Sequence, residues 1–212
     1  MREGDVSYKV FRSLFFSKMR FNKNTKILDA GCMDSFLMDC FVEIEKEKNR
    51  QLFSQFIGVD IDEESIQSTT AANKERRGCF HTCDLRKSLP YQSKEFDIVF
   101  CFGTIPHLSF EECYMVLKNL CSLARRHFIF NFIHFSNDLP KRLCPKRHRC
   151  TPVDYYIYNA NELSETINRL VVQFSKEAGF HKATTQISKE MSEFITGKKG
   201  HFLEDTVCLI NL

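Results

Sequence analysis

The segment "ILDAGCMDSF", residues 27–36, begins as a buried strand and ends as the start of an amphipathic helix. A short apolar run that closes on Asp29 and Gly31 is typical of a parallel strand followed by a tight turn. Such a turn usually carries two more glycines when it holds a ligand, but Met33 and Ser35 occupy those places. The segment therefore predicts a strand–turn–helix unit with an altered ligand-binding loop.

Apolar runs and helical patterns alternate outward from this unit. The pattern predicts strands at 25–31, 53–62, 78–85, 95–104, 127–135, 181–188 and 204–212. Helices are predicted at 8–19, from 36 into the charged stretch 43–50, and at 63–78, 109–126 and 161–180. This alternation predicts an α/β fold with a mostly parallel seven-stranded sheet, helices on both faces and an antiparallel C-terminal hairpin.

Length and composition set the class of protein. The chain has 212 residues, 43% of them hydrophobic and 27% charged, which predicts one globular domain over 1–212 with a helical lead-in at 1–22. A net charge of +3 gives no reason to expect a polyanion partner. No apolar run reaches the length of a membrane span, and the ten cysteines are scattered among apolar neighbours. We expect a cytoplasmic protein whose cysteines are buried free thiols.

Acidic residues follow three predicted strands in succession. They are Asp29, Asp60 and Asp84, and the carboxyl ends of parallel strands meet in one crevice where ligands bind. An acid at the end of the second strand can accept both hydroxyls of a ribose. Asp60 or Asp62 can instead cap the following helix. We assign the ribose to Asp60 and the cap to Asp62.

Four segments together resemble a class I S-adenosylmethionine-dependent methyltransferase with a Rossmann-like fold. They are "ILDAGC" (27–32), "FIGVDID" (56–62), "TCDLRKSLPYQSKEFDIVFCFGTIPHLS" (82–109) and the segment that begins "AGF" (178–180). The predicted antiparallel final hairpin also fits that family. The resemblance implies S-adenosylmethionine as cofactor and no metal. It places the methionine part near Asp29 and Gly31, the ribose on Asp60, and the adenine on Asp84. The remaining cofactor residues that it implies are Ile61, Leu85, Phe102 and Gly103.

The loop at 31–35 separates this family from its main competitor. A nicotinamide-binding domain needs G-x-G-x-x-G for its pyrophosphate, and this chain lacks those glycines. At Met33 a left-handed backbone conformation would be strained. Asp34 and Ser35 are expected to cap the next helix. We expect the site to be retained with altered loop geometry.

Two histidines are candidate bases for an acceptor hydroxyl. His107 follows the fourth strand and His134 ends the fifth. His107 can instead cap the helix that starts near Ser109, and His134 can be a half-buried polar residue. The chain lacks the Asn/Asp-Pro-Pro-aromatic motif of nucleic-acid amino-methyltransferases, since that place reads "FGTIPH". The sequence therefore favours a small-molecule acceptor and no membrane partner.

The segment 136–158 is predicted to be an irregular acceptor-side insertion. Five Lys or Arg and no acid lie between Lys141 and Arg149, which suits an anionic acceptor or a solvated loop. An RNA- or protein-directed methyltransferase that uses this basic loop is an alternative, as is a non-catalytic interaction protein on the same fold. Cys144, His148 and Cys150 lack a clear fourth ligand, which argues against zinc.

Overall fold

The computed structural model describes residues 19–74, 77–135, 148–150, 153–155, 180–186 and 203–212. The helices predicted at 8–19 and 161–180 lie outside these residues, apart from residues 19 and 180. Residues 141–147 of the basic run 141–149 also lie outside them. Three α-helices are described: α1 (Phe36–Lys48), α2 (Glu63–Ala72) and α3 (Phe110–Leu123). The strands are β1 (Lys26–Ala30), β2 (Gln55–Asp60), β3 (Gly78–Thr82), β4 (Phe96–Cys101), β5 (Ala124–Phe135), β6 (His148–Cys150), β7 (Val153–Tyr155), β8 (Phe180–Gln186) and β9 (Leu203–Asn211).

The main sheet runs in the order β3-β2-β1-β4-β5-β9-β8. The pairs from β3 through β5 are parallel, whereas β9 is antiparallel to both β5 and β8. The prediction of a mostly parallel α/β sheet that ends in an antiparallel C-terminal pair is therefore confirmed. Because the order reverses at β1 and β4, the crevice between their carboxyl ends is the expected ligand position.

Apolar side chains cover both faces of the sheet. On the face that carries α1, Phe41 is fully buried and makes edge-to-face contacts with Phe21, Phe53, Phe56 and Phe100. On the opposite face α3 packs a second set of buried residues that includes Val116, Leu117 and Leu120. Successive residues of one strand serve the two faces, as the period of two requires: Ile27 faces α1 and Leu28 faces α3.

Asp97 connects the amino ends of β1, β4 and β5, at the opposite end of these strands from the crevice. Its carboxylate accepts hydrogen bonds from the Lys26 N–H at 2.9 Å and from Arg125 Nε at 3.0 Å, and it lies 3.2 Å from Arg126 Nε. Burial alone would raise the Asp97 pKa, but these donors outweigh burial and lower it. The two arginines are thereby held in β5, which explains why α3 ends at Leu123 and not at residue 126.

Two further boundaries differ from the sequence prediction. The segment 136–158 was expected to be irregular, but β6 and β7 pair as an antiparallel ribbon within it. The helix α2 was expected to stop at Gly78. It ends at Ala72 with Asn73 as its C-cap, and Gly78 begins β3. The Asn73 amide donates to the Thr69 carbonyl at 2.8 Å, so a polar side chain ends this helix in place of a glycine.

We expect Asp97→Asn to lower the free energy of unfolding by about 1–3 kcal/mol at neutral pH, because two arginines lose their anionic partner. Since the folded-state pKa of Asp97 is lowered, its contribution is present above the ordinary pKa and disappears as the pH falls through the folded value. Urea denaturation at pH 7 and in acid measures both effects. Glu111→Gln removes an exposed carboxylate as a control, and an equal loss in that variant would contradict the prediction.

Candidate functional site

The turn after β1 packs directly against the turn after β4. Gly31 has a φ of 80°, and a Cβ at this position would lie 1.7 Å from Thr104 Oγ1. The Gly31 N–H donates to the Val59 carbonyl at 2.7 Å, which fixes the turn against β2 as well. A side chain at residue 31 would therefore push apart the two loops that border the crevice.

Two non-glycine residues of the loop adopt the positive φ angles that glycine usually supplies. Met33 has a φ of 42° and Ser35 a φ of 62°, so both residues are left-handed. The Met33 side chain is 63% exposed and does not fill the core below the loop. A left-handed conformation costs an L-residue roughly 1–2 kcal/mol, so the loop stores strain at two positions. The sequence prediction of strain at Met33 agrees with this geometry.

The prediction that Ser35 caps α1 through its side chain is wrong. Ser35 occupies the N-cap position, but its side chain makes no capping hydrogen bond, because its backbone is left-handed and not extended. The Ser35 hydroxyl is buried and has no hydrogen-bond partner among the described residues. Asp34 is exposed and faces solvent at the same turn.

Asp60 connects the end of β2 to this loop. Its Oδ2 accepts from the Met33 N–H at 2.9 Å, and its Oδ1 accepts from the Asp62 N–H at 3.0 Å. Thr69 of α2 donates from its hydroxyl to the Met33 carbonyl at 2.9 Å, so the loop is held from both sides. The next residue, Ile61, is 58% exposed and presents apolar surface beside the Asp60 carboxylate.

Asp62 caps α2, as the sequence predicted. Its Oδ1 accepts from the Glu64 N–H at 3.1 Å and its Oδ2 accepts from the Ser65 hydroxyl at 2.7 Å. The hydrogen bond from Ser65 is the main cause of a lowered Asp62 pKa. The capping role thus belongs to Asp62, which leaves Asp60 directed at the loop.

Asp29 lies beneath the loop as a buried acid among other acids. Its side chain is 3% exposed, and burial followed by the charges of Asp60 and Asp34 raises its pKa to about 8. The neighbouring Cys32 is also buried, and burial followed by the charges of Asp29 and Asp60 raises the pKa of its thiol. Asp29, Asp34 and Asp60 are therefore brought close enough to interact electrostatically around residues 29–35.

Asp84 lies beyond the end of β3 and is paired with a cation. Arg86 donates from Nε to Asp84 Oδ1 at 2.8 Å and from Nη2 to Asp84 Oδ2 at 3.1 Å. These hydrogen bonds are the main cause of a lowered Asp84 pKa. Leu85 is 6% exposed and packs in the core on the α3 face, so its side chain is directed away from solvent.

The turn after β4 leaves open space at the crevice. Gly103 has a φ of 70°, and no described residue lies within 4 Å of a Cβ built there. Its N–H donates to the side-chain oxygen of Asn131 on β5 at 2.7 Å, and Phe102 beside it packs partly buried on the α1 face. Sequence reasoning noted Asn131 only as a strand-end residue, because a contact across 28 positions has no local signal.

Of the two candidate bases, the structure describes the side chain of His107 but not that of His134. His107 is exposed and ends a short 3₁₀ helix, Ile105–His107. It does not cap α3, because Ser109 and Glu112 form a reciprocal capping box at that end, as predicted for Ser109. His134 lies in β5 opposite Glu204, and its side chain is outside the described residues.

Residues 21–191 match the model of a family described as a methyltransferase domain. The chain belongs to this family. The match confirms the family that the sequence motifs indicated, and with it the assignment as an enzyme. No curated protein is similar enough in sequence to match the chain.

Solved structures share the fold at low sequence identity. The PH0226 protein of Pyrococcus horikoshii OT3 matches with a TM-score of 0.64 at 18% identity, over 100% of this chain and 92% of its own. An S-adenosylmethionine-dependent methyltransferase from Mesorhizobium loti matches with a TM-score of 0.64 at 11% identity, over 98% of this chain and 99% of its own. Magnesium protoporphyrin IX methyltransferase from Synechocystis PCC 6803, solved with bound SAM, gives 0.57 at 18% identity, over 96% and 77%.

We expect Met33→Gly to leave the free energy of unfolding unchanged or raise it by up to about 1 kcal/mol. Glycine removes the left-handed strain, and that gain offsets the larger backbone entropy of the unfolded chain. Met115, 42% exposed within α3, is the matched control, since Met115→Gly should cost about 1 kcal/mol. Chemical denaturation of both variants makes the comparison, and equal losses would contradict the left-handed strain at residue 33.

We expect Asp29→Asn to remove a pH dependence of stability. A folded pKa of about 8 means that the folded state holds a proton that the unfolded state releases above about pH 4, so wild-type stability falls as the pH rises between these values. The variant and wild type should melt alike near pH 4, and the variant should melt higher at pH 8.

Asp84→Asn is the opposite-sign control for this prediction. Because the Asp84 pKa is lowered, its variant should lose stability at neutral pH and approach wild type in acid. Melting curves of the three proteins across this range make the measurement. If Asp29→Asn melts lower than wild type at pH 8, the assignment of a raised pKa to Asp29 is wrong.

Proposed function

We propose that this enzyme transfers a methyl group from S-adenosylmethionine to a small-molecule acceptor, with the donor bound in the crevice between the loops after β1 and β4. S-adenosylmethionine is the donor of the family, and it supplies a methyl group on a sulfonium that nucleophiles displace. The proposed cofactor residues are those indicated by the sequence: Asp29, Gly31, Asp60, Ile61, Asp84, Leu85, Phe102 and Gly103.

The proposal depends most on the hydrogen bonding of the Asp60 carboxylate. Each of its carboxylate oxygens accepts one backbone hydrogen bond from a described residue, and a carboxylate has about four acceptor positions. Acceptor capacity therefore remains for a pair of vicinal hydroxyls. The exposed side chain of Ile61 beside it offers an apolar surface that suits a purine. A polar anchor next to an exposed apolar face fits a nucleoside.

The loop geometry also fits the donor. The left-handed backbone at Met33 and Ser35 supplies the positive φ angles that glycines give in the family pattern, and the exposed Met33 side chain is not packed into the core beneath the turn. The relative from Synechocystis was solved with bound SAM, and that observation supports the same donor here.

We propose that the acceptor binds beside the turn after β4. The open space beside Gly103, with Asn131 holding the Gly103 N–H from β5, suits an acceptor of small size. We propose His107, and in second place His134, as the base for an acceptor hydroxyl, because a hydroxyl must lose its proton as the methyl group arrives. An amine or thiolate acceptor would not need that base. A macromolecular acceptor would depend on the basic run 141–149, almost all of which lies outside the described residues.

We expect Asp60→Asn to weaken binding of S-adenosylhomocysteine by about tenfold to a hundredfold, because the amide keeps one acceptor oxygen and loses the other. Isothermal titration calorimetry measures the dissociation constant, and the shift in melting temperature gives a second readout. Asp62→Asn is the matched control: it removes an acid two residues away and keeps a side chain that caps α2.

Two results would contradict the proposal. One is a wild-type protein that neither S-adenosylmethionine nor S-adenosylhomocysteine stabilises at millimolar concentration. The other is equal affinity of the Asp60→Asn and Asp62→Asn variants, which would remove Asp60 from the nucleoside site.

A further inference from the structure

The Arg86 guanidinium makes a bidentate pair of hydrogen bonds with the Asp84 carboxylate. Its Nε and Nη2 donate to different oxygens of the same carboxylate, at 2.8 and 3.1 Å, and its backbone N–H donates to Oδ1 at 3.1 Å. A guanidinium that meets both oxygens in this way fixes the plane of the carboxylate as well as its position. The Asp84 side chain is 17% exposed in this pair, so solvent reaches only part of it.

The other end of the guanidinium is fixed to a helix. Arg86 Nη1 donates to Glu112 Oε1 at 3.3 Å, while Glu112 Oε2 accepts from the Ser109 N–H at 2.8 Å in the capping box of α3. Through these contacts the Asp84 carboxylate is fixed relative to the amino end of α3. The single exposed pair would contribute little to stability by itself, but a network built on a helix cap gives it defined geometry.

The contacts of Asp84 leave one acceptor position on one oxygen. Oδ1 accepts both the Arg86 N–H and Nε, which uses its two lone pairs. Oδ2 accepts Nη2, and Lys87 Nζ lies 3.9 Å away, beyond hydrogen-bond distance. Among the described residues, Oδ2 therefore keeps one lone pair. Because the Asp84 pKa is lowered, the group is ionised at neutral pH and accepts hydrogen bonds without donating any.

We propose that Arg86 is a positioning residue that makes the nucleoside site selective for a 6-amino purine over a 6-oxo purine. The inference rests on the proposed function, in which Asp84 meets the adenine. The free lone pair of Oδ2 accepts from an exocyclic amino group. A 6-oxo group in the same place brings its oxygen against an ionised carboxylate, and no proton lies between them. Arg86 enforces this choice because it prevents Asp84 from turning away.

The test compares S-adenosylhomocysteine with S-inosylhomocysteine, which differ at the 6-position of the purine and in the proton that the 6-oxo form carries on the adjacent N1. Calorimetry gives the ratio of their dissociation constants. Wild type should prefer the amino ligand by about tenfold or more. Arg86→Gln and Arg86→Lys should each lower the ratio to about threefold or less, because neither side chain can hold both oxygens of a carboxylate. Asp84→Asn should lose or reverse the preference, since an amide can donate to a 6-oxo group.

Lys87→Gln is the matched control. It removes an equal charge from the neighbouring residue, which is 79% exposed and does not hydrogen-bond Asp84, so the ratio should stay at the wild-type value. Arg86 is 42% exposed, and its variants are expected to fold; melting temperatures check this. A role of Arg86 limited to stability would lower the melting temperature and leave the ligand ratio unchanged.

The outcomes separate this inference from the function on which it rests. If wild type binds neither ligand, the proposed function fails and the inference fails with it. If wild type binds with a clear preference that Arg86→Gln retains, the proposed function stands and the inference about Arg86 is overturned. If Asp84→Asn retains the preference, Asp84 does not contact the base, and the inference is overturned in that case too.

Discussion

The hydrogen bonds of the Asp60 carboxylate hold together the part of the structure on which the site depends. The loop after β1 contains left-handed residues at Met33 and Ser35, and such a loop needs contacts that offset its strain. Asp60 supplies one from β2 through the Met33 N–H, and Thr69 supplies another from α2 through the Met33 carbonyl. The residue proposed to bind the ribose is thus also a structural support of the loop opposite it.

Two buried aspartates at opposite ends of the central strands have pKa values shifted in opposite directions. Asp97 is 4% exposed, but a backbone N–H and two arginines surround it and lower its pKa. Asp29 is 3% exposed, yet its charged neighbours include Asp60 and Asp34, and its pKa rises to about 8. Burial acts to raise the pKa at both sites, but the donors around Asp97 outweigh it, whereas the acidic neighbours of Asp29 add to it. An acid that costs stability beside a crevice is typical of a functional site.

Much of the fold followed from local pattern. Alternating apolar runs and helical spacing predict the parallel sheet, and Ser109 and Asp62 were identified as caps because a cap is a short-range feature. The errors have causes that the local residue pattern does not show. The end of α3 was placed too late because Arg125 and Arg126 are drawn into β5 by Asp97, 28 residues before Arg125. The Ser35 cap failed because its backbone is left-handed, which the residue type does not indicate.

For the candidate site, too, the sequence indicated some residues and missed others. The sequence pointed to the acids at the strand ends, because the carboxyl ends of parallel strands must meet. It did not indicate Arg86, since a charged residue two positions after an acid resembles any exposed pair until Glu112 is seen on its other side.

The departure from the glycine pattern is the feature that most invites the conclusion that the site has been lost. A glycine in such a turn serves two physical needs: it permits a positive φ, and it keeps a side chain out of the ligand's way. Met33 and Ser35 meet the first need at the cost of strain, since both residues are left-handed. The Met33 side chain is 63% exposed, so it is not packed into the core beneath the loop. Only at Gly31 does packing forbid any side chain, because Thr104 occupies the space where a Cβ would lie. The one glycine that this loop retains is therefore the one that its own packing requires.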